Sequence, residues 1–156
     1  MKRFYWAALL ALSLGSAGCT PGAISALSGN GISGSSTIIH VSLLKFAKHS
    51  SPYGDVAGYS PNVLTVQSGA TVQFVNDDNF SHTASSVGSN GFPTGNPLSN
   101  SALTQSGKDL ADANWSSGLL QGGAASQTFT TNTPGTYYFG CFYHYAIPMR
   151  GVIVVQ

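Results

Sequence analysis

Three residues near the C-terminus, Cys141, His144 and Met149, are spaced C-x₂-H-x₄-M. A thiolate, an imidazole and a thioether form a donor set for copper: the soft sulfurs favour Cu(I), and imidazole suits either oxidation state. Strand-like residues lead into the segment from Thr136, and Val152 to Val155 lead out of it, so one tight loop aims all three donors at one point. A fourth donor must come from elsewhere. His82, in Asn79-Phe80-Ser81-His82-Thr83-Ala84, stands at the start of an extended segment and is placed to supply it. Two His and one Cys in a trigonal set, with a long axial Met, make a mononuclear copper site suited to electron transfer. Each residue also has a plainer reading. His82 and His144 would serve as loop or turn histidines, and Cys141 and Met149 as core residues. One metal ion accounts for all four placements together. His40 and His49 have no comparable surroundings and read as ordinary polar positions.

The elements that must position this set read as strands. Residues 37–44 alternate, with Ile39, Val41 and Leu43 on one face and Ile38, His40 and Ser42 on the other. Residues 62–66 are apolar and β-branched, and after a Ser68-Gly69 turn Val72 and Phe74 share a face in residues 71–76. Residues 81–86, 126–131, 136–141 and 152–155 complete the set. Period-two patterning with β-branched residues and short spacing predicts strands. Thr133-Pro134-Gly135-Thr136 suits a type II turn, with Gly135 at positive φ. The fold class is therefore all-β, an antiparallel Greek-key β-sandwich of about seven to eight strands. Residues 87–114 break the rhythm with Gly, Ser, Asn and Pro, forming one long loop in which residues 108–115 suit a short helix. Loops of that length usually carry function or local structure.

The N-terminus divides from this domain by composition. Residues 1–18 run from basic (Lys2, Arg3) to apolar (Phe4 to Leu14) to small, the order of a secretory signal. The apolar run is too short to span a bilayer, which takes about 20 residues. Ser16-Ala17-Gly18-Cys19 resembles the lipobox of bacterial lipoproteins, although Ser16 stands where Leu is commoner. Acylation of Cys19 would make an exported, periplasmic or cell-surface protein held to the membrane by a lipid anchor; ordinary cleavage nearby would release it. Residues 19–36 are a Gly/Ser-rich tether, and their G-x-G-x-x-G (Gly29, Gly31, Gly34) has neither a preceding strand nor a following helix to make it a dinucleotide motif. Residues 37–156 form the domain. Only 7% of the chain is charged, every acid is Asp, and no basic stripe exists, which argues against nucleic acid as a partner. Few carboxylates also suit an acidic habitat, since few groups can unfold the chain by taking up protons. With Cys19 acylated or removed, Cys141 is left without a disulfide partner; a Cys19–Cys141 disulfide is the alternative.

From about Thr37 to Gln156 the sequence resembles the cupredoxin family, plastocyanin and pseudoazurin in particular. Tyr59 to Val66 followed by Ser68 to Phe74 is similar to the family's paired strands, and Asn76 to Thr83 to the approach to its first His ligand. Pro134 to Phe139 with Cys141 is similar to its penultimate strand, and His144-Tyr145-Ala146 is pseudoazurin-like. The resemblance implies one type 1 copper, with His82, Cys141 and His144 as strong ligands and Met149 as the weak axial one. It further implies that the Thr83 amide donates to the Cys141 sulfur. Tyr143, Tyr145, Ala146, Ile147 and Pro148 would form the apolar patch where transient redox partners dock on a monomer. Two departures stand out: Tyr143 replaces the Pro common before the second His, and loop 87–114 is longer than in the shortest members. The wiring of a copper oxidase is missing, because Gly140 and Phe142, not His, flank Cys141, and a binuclear copper site would need a second Cys in the loop. The sequence thus predicts an electron carrier and no enzyme. A copper carrier or storage module is the alternative, although such proteins favour Met-rich or His-rich sites and this chain has two Met.

Overall fold

Alternation of buried and exposed side chains organises the strands, as the burial of residues 71–76 illustrates: Val72, Phe74 and Asn76 point inward and their neighbours are partly exposed. The computed structural model describes residues 34–156. The signal segment 1–18, Cys19 and most of the tether lie outside the described residues. The strands, in chain order, are β1 (Ser36–Val41), β2 (His49–Ser51), β3 (Gly54–Val56), β4 (Tyr59–Ser60), β5 (Val63–Val66) and β6 (Thr71–Asn76). They continue with β7 (Ser85–Gly88), β8 (Gln105–Ser106), β9 (Ser116–Ser117), β10 (Phe129–Thr130), β11 (Gly135–Gly140) and β12 (Arg150–Val155). One sheet has the order β10-β6-β1-β4, the other β5-β12-β11-β7-β9-β8, and β2 pairs with β3 in a separate hairpin.

The domain is an all-β sandwich, as the sequence predicts. Its pairing is mixed: β1 runs parallel to β6 and β12 parallel to β5, while β11 is antiparallel to both β12 and β7. Aromatic rings join the two sheets across the core. Phe74 of β6 lies 5.2 Å from Phe139 of β11 and stacks on Trp115 at 6.0 Å; Tyr59 of β4 meets Phe139 edge-on at 4.8 Å. Ile39, Val41, Val72, Phe129 and Ile153 fill the space around them. Burying an aromatic or aliphatic side chain of this kind is worth about 1.5–3 kcal/mol, so this layer makes a rigid floor beneath the strand ends.

Two local expectations change. Residues 108–115 form turns and no helix. The Asp112 carboxylate accepts from the amides of Lys108 (2.8 Å) and Asp109 (3.1 Å), and Asp109 accepts from the Ala111 amide (2.8 Å). Asp side chains that bond nearby amides compete with helix formation. The helical turn of the loop is a 3₁₀ turn at Asn100–Leu103. Gly135 opens β11 without positive φ, whereas Gly69, before β6, does turn the chain at φ 86°. The long loop has a structural task. Phe92 packs edge-on against Tyr138 (5.0 Å) and under the Arg150 guanidinium (5.1 Å), and Asn96 donates to the Phe142 carbonyl (2.8 Å). It therefore buttresses the segment that carries Cys141. Among the described residues no helix is long and apolar enough to cross a membrane.

Candidate metal centre

The two donor-bearing segments meet at one end of the sandwich. Cys141 follows the last residue of β11, and residues 141–149 turn back at once into β12. This loop closes on itself through its backbone. The Cys141 amide donates to Met149 O (3.0 Å), and the amides of Ile147 and Met149 donate to His144 O (3.0 and 3.1 Å). Gly140 permits the turn, because a Cβ there would stand 2.6 Å from the Tyr145 ring. His82 lies on the other segment, paired through its backbone with Leu120 in both directions (3.1 and 2.8 Å).

The three donors converge. Cys141 Sγ is 3.7 Å from His82 Nδ1 and 3.6 Å from His144 Nδ1, and the two imidazole rings are centred 5.0 Å apart. His82 and Cys141 are fully buried and His144 is half-buried. These three residues are positioned to hold a metal ion. Met149 is fully buried directly after the loop. Its side chain packs on Gly58, where an added Cβ would come within 2.6 Å of Met149 Cγ and 3.1 Å of its sulfur. Gly58 also sits at φ 72°, a conformation that disfavours any side chain.

Thr83 ties the two segments together. Its Oγ1 accepts from the Phe142 amide (2.9 Å), and its carbonyl accepts from the Tyr59 hydroxyl (2.5 Å). Burial pushes the Cys141 thiol up; hydrogen bonding from the amides of Thr83, Tyr143 and His144 offsets part of that rise. Burial, reinforced by the neighbouring His82, pushes His144 down, so the neutral ring that a metal needs is the favoured form.

Behind His82 lies a residue that the sequence reasoning missed. The Asp78 carboxylate, itself buried, stands 2.9 Å from His82 Nε2. It also accepts from Ser42 Oγ (2.5 Å) and the Leu43 amide (2.7 Å). Burial pushes Asp78 up, but the hydrogen bonds from Ser42, His82 and Leu43 outweigh it and leave the carboxyl below its ordinary value. The i, i+4 spacing of Asp78 and His82 was visible in the sequence. Nothing in a loop, however, says which of two adjacent Asp residues turns inward: Asp77 faces solvent and pairs with His40 and Lys45 (3.1 and 3.2 Å).

The family model of copper binding proteins, plastocyanin/azurin family, matches residues 48–156. The chain is a cupredoxin. Solved structures similar to it include a reduced tryptophan-to-tyrosine variant of amicyanin, 21% identical, covering 78% of this chain and 82% of that one at a TM-score of 0.49. A purple cupredoxin from Nitrosopumilus maritimus is 24% identical and covers 76% of this chain and 98% of its own, at a TM-score of 0.48. No curated protein matches the chain. The family binds one copper ion. The donor chemistry here fits it: one buried sulfur with two imidazoles whose Nδ1 atoms face it, and no carboxylate between them.

The surface around the site differs in part from the sequence expectation. Tyr143, Ala146 and Ile147 of this cupredoxin are exposed, but Tyr145 and Pro148 are buried. Tyr145 lies beneath the Arg150 guanidinium (4.9 Å) and donates to Pro93 O (3.2 Å), so it braces the loop from below and offers no docking surface. Phe80 joins the exposed rim instead, 4.8 Å from the His82 ring and 6.0 Å from the His144 ring.

Proposed function

We propose that this cupredoxin is a mononuclear type 1 copper protein that shuttles single electrons between protein partners outside the cytoplasm. One observation carries the reading: the Cys141 thiol lies within 3.7 Å of a ring nitrogen of each of two imidazoles, one of them 59 residues away in the chain, in a largely buried pocket. His82, Cys141 and His144 would be the strong ligands and Met149 the weak axial one. Copper held by these four residues would alternate between two oxidation states, and a site with four protein ligands has no open position for a substrate. Thr83 and the closed backbone of loop 141–149 hold the donors in place, so little rearrangement accompanies the gain or loss of an electron.

The electron would pass through His144, the one ligand of the three with an exposed edge. Tyr143, Ala146, Ile147 and Phe80 form an apolar rim there. Small apolar patches suit short-lived encounters between redox proteins. Export as a lipoprotein anchored through Cys19, with residues 19–36 as a tether, places a monomeric carrier within reach of partners at the membrane surface.

Titration of the metal-free chain with Cu(II) tests the reading. A stoichiometric, intensely blue complex that bleaches with a mild reductant and recovers on reoxidation is expected, and Cys141→Ser should abolish the colour. A colourless complex of equal affinity would instead identify a copper carrier or storage module. Mass spectrometry of the mature N-terminus decides whether Cys19 is acylated.

A further inference from the structure

We propose that Asp78 is a positioning residue for the copper site: its buried carboxylate fixes the His82 ring with Nδ1 toward the metal, and its charge favours the oxidised state. The inference deepens the electron-transfer reading and rests on it. Four observations support it. First, the contact is to the nitrogen that faces away from the thiol: Nε2 meets Asp78 Oδ2 at 2.9 Å, while Nδ1 faces Cys141 Sγ at 3.7 Å. A carboxylate only accepts, so Nε2 carries the proton of this contact, and in the neutral ring that leaves Nδ1 with the lone pair for the metal.

Second, the carboxylate is itself held. Ser42 Oγ binds Oδ1 (2.5 Å), and the Leu43 amide binds the same Oδ2 that takes the ring proton (2.7 Å). The Asp78 amide donates to Asn76 Oδ1 (3.0 Å), and the Asn76 amide group donates to the carbonyls of Phe80, Leu120 and Gln121 (2.8, 2.9 and 3.1 Å). The end of β1, the end of β6 and the His82–Leu120 pairing are thereby locked around one ring.

Third, both partners are secluded, with side-chain exposures of 0% for His82 and 1% for Asp78. A charge in such a place interacts far more strongly than one in water. Fourth, among the described residues His82 is the only ionisable partner of Asp78; Lys45 is engaged by the adjacent Asp77 and Lys48 by Asp55. Among the described residues no Lys or Arg pairs with the carboxylate, so its field acts through the imidazole on whatever the ring binds. A carboxylate behind a ligating histidine raises the ring's basicity, and losing such a partner typically costs ~10- to 100-fold in metal affinity. A negative charge there stabilises the more positive metal state, which lowers the reduction potential.

Two measurements on the full chain test the inference. In the wild-type protein, nitrogen-15 NMR of the histidine rings should show a slowly exchanging Nε2 proton on His82, in the metal-free and Cu(I) forms alike. A His82 ring protonated on Nδ1 in both forms overturns the inference whether or not copper is taken up. In Asp78→Asn, whose amide oxygen still accepts the ring proton but carries no charge, the reduction potential should rise above wild type while the blue band persists. A potential unchanged or lowered in a folded, blue Asp78→Asn protein also overturns it. Should wild type show the Nε2 proton and yet form no blue complex, the electron-transfer reading fails and the ring-orienting role of Asp78 stands.

Discussion

His82 and His144 present the same nitrogen to the same sulfur, yet they are held in opposite ways. His82 is sealed in the sandwich, with a carboxylate on its outer nitrogen and Phe80 across its face. His144 rides on a surface turn braced by the backbone of loop 141–149 and, at Phe142, by Thr83 and Asn96, and among the described residues no side chain bonds its outer nitrogen. One ligand belongs to the scaffold, the other to the surface. Under the proposed function the contrast gives them different work: His82 would set geometry and charge, and His144 would make the electronic contact with the outside.

Replacement of each histidine by glycine offers the sharpest way to break that comparison. In His144→Gly, added imidazole should enter from the solvent side and restore the blue complex. In His82→Gly it should not. Removing His82 also leaves the Asp78 carboxylate buried without its partner, at a cost of about 3 kcal/mol or more. Thermal denaturation of the metal-free variants, with spectra recorded against added imidazole, checks both arms. Equal rescue would mean that the two histidines are equally accessible and the division of labour is wrong.

A smaller effect is expected at Gly58, which bears on the thioether and leaves both histidines alone. Gly58→Ala forces a side chain into a left-handed conformation against Met149, and should cost roughly 1–3 kcal/mol of stability. It should shift the colour of the copper complex without removing it, which absorption spectra of the loaded protein would reveal. On the outer rim, Ile147→Ser should leave stability within about 0.5 kcal/mol while slowing electron exchange between oxidised and reduced copies. Stopped-flow mixing would detect this, and an unchanged rate would remove the docking role from the rim.

Acid separates the two regions last and least. All five Asp of the chain titrate below their ordinary value of 3.8 in the fold. A depressed carboxyl contributes stability that is complete above the unfolded value and is lost as pH falls through the folded one. Stability from this source should therefore hold down to about pH 4 and decline below it. His144 is also depressed, from 6.5, chiefly by burial. The unfolded chain takes up this proton first, so the metal-free protein should lose a little stability as pH falls through 6.5, and His144→Gln should abolish that upper step. Denaturant midpoints of the metal-free protein between neutral pH and pH 3 would resolve the two steps.

The strand pattern was legible where one face of a segment is fully buried. Ile39 with Val41, and Val72 with Phe74, alternate as the sandwich requires. The short strands β8 and β9 were not legible. They consist of Gln105-Ser106 and Ser116-Ser117, whose composition says loop, and they pair only because neighbouring β7 offers an edge. The expected helix at residues 108–115 failed for a related reason: local side-chain acceptors outbid helix propensity. Of the site, all three converging donors were legible from residue type and spacing. Asp78 was not, because identical adjacent side chains differ only in direction, and direction is set by the end of β1.

By itself, then, the order of residues determined the donor atoms, their loop spacing and the β character of the domain, because these depend on chemistry and periodicity carried within short windows. Tertiary structure alone decided which histidine is sealed and which exposed, that Tyr145 supports the loop from beneath, and that Asp78 stands behind His82. Those facts follow from which strand ends meet in space, and that depends on packing between segments far apart in the chain.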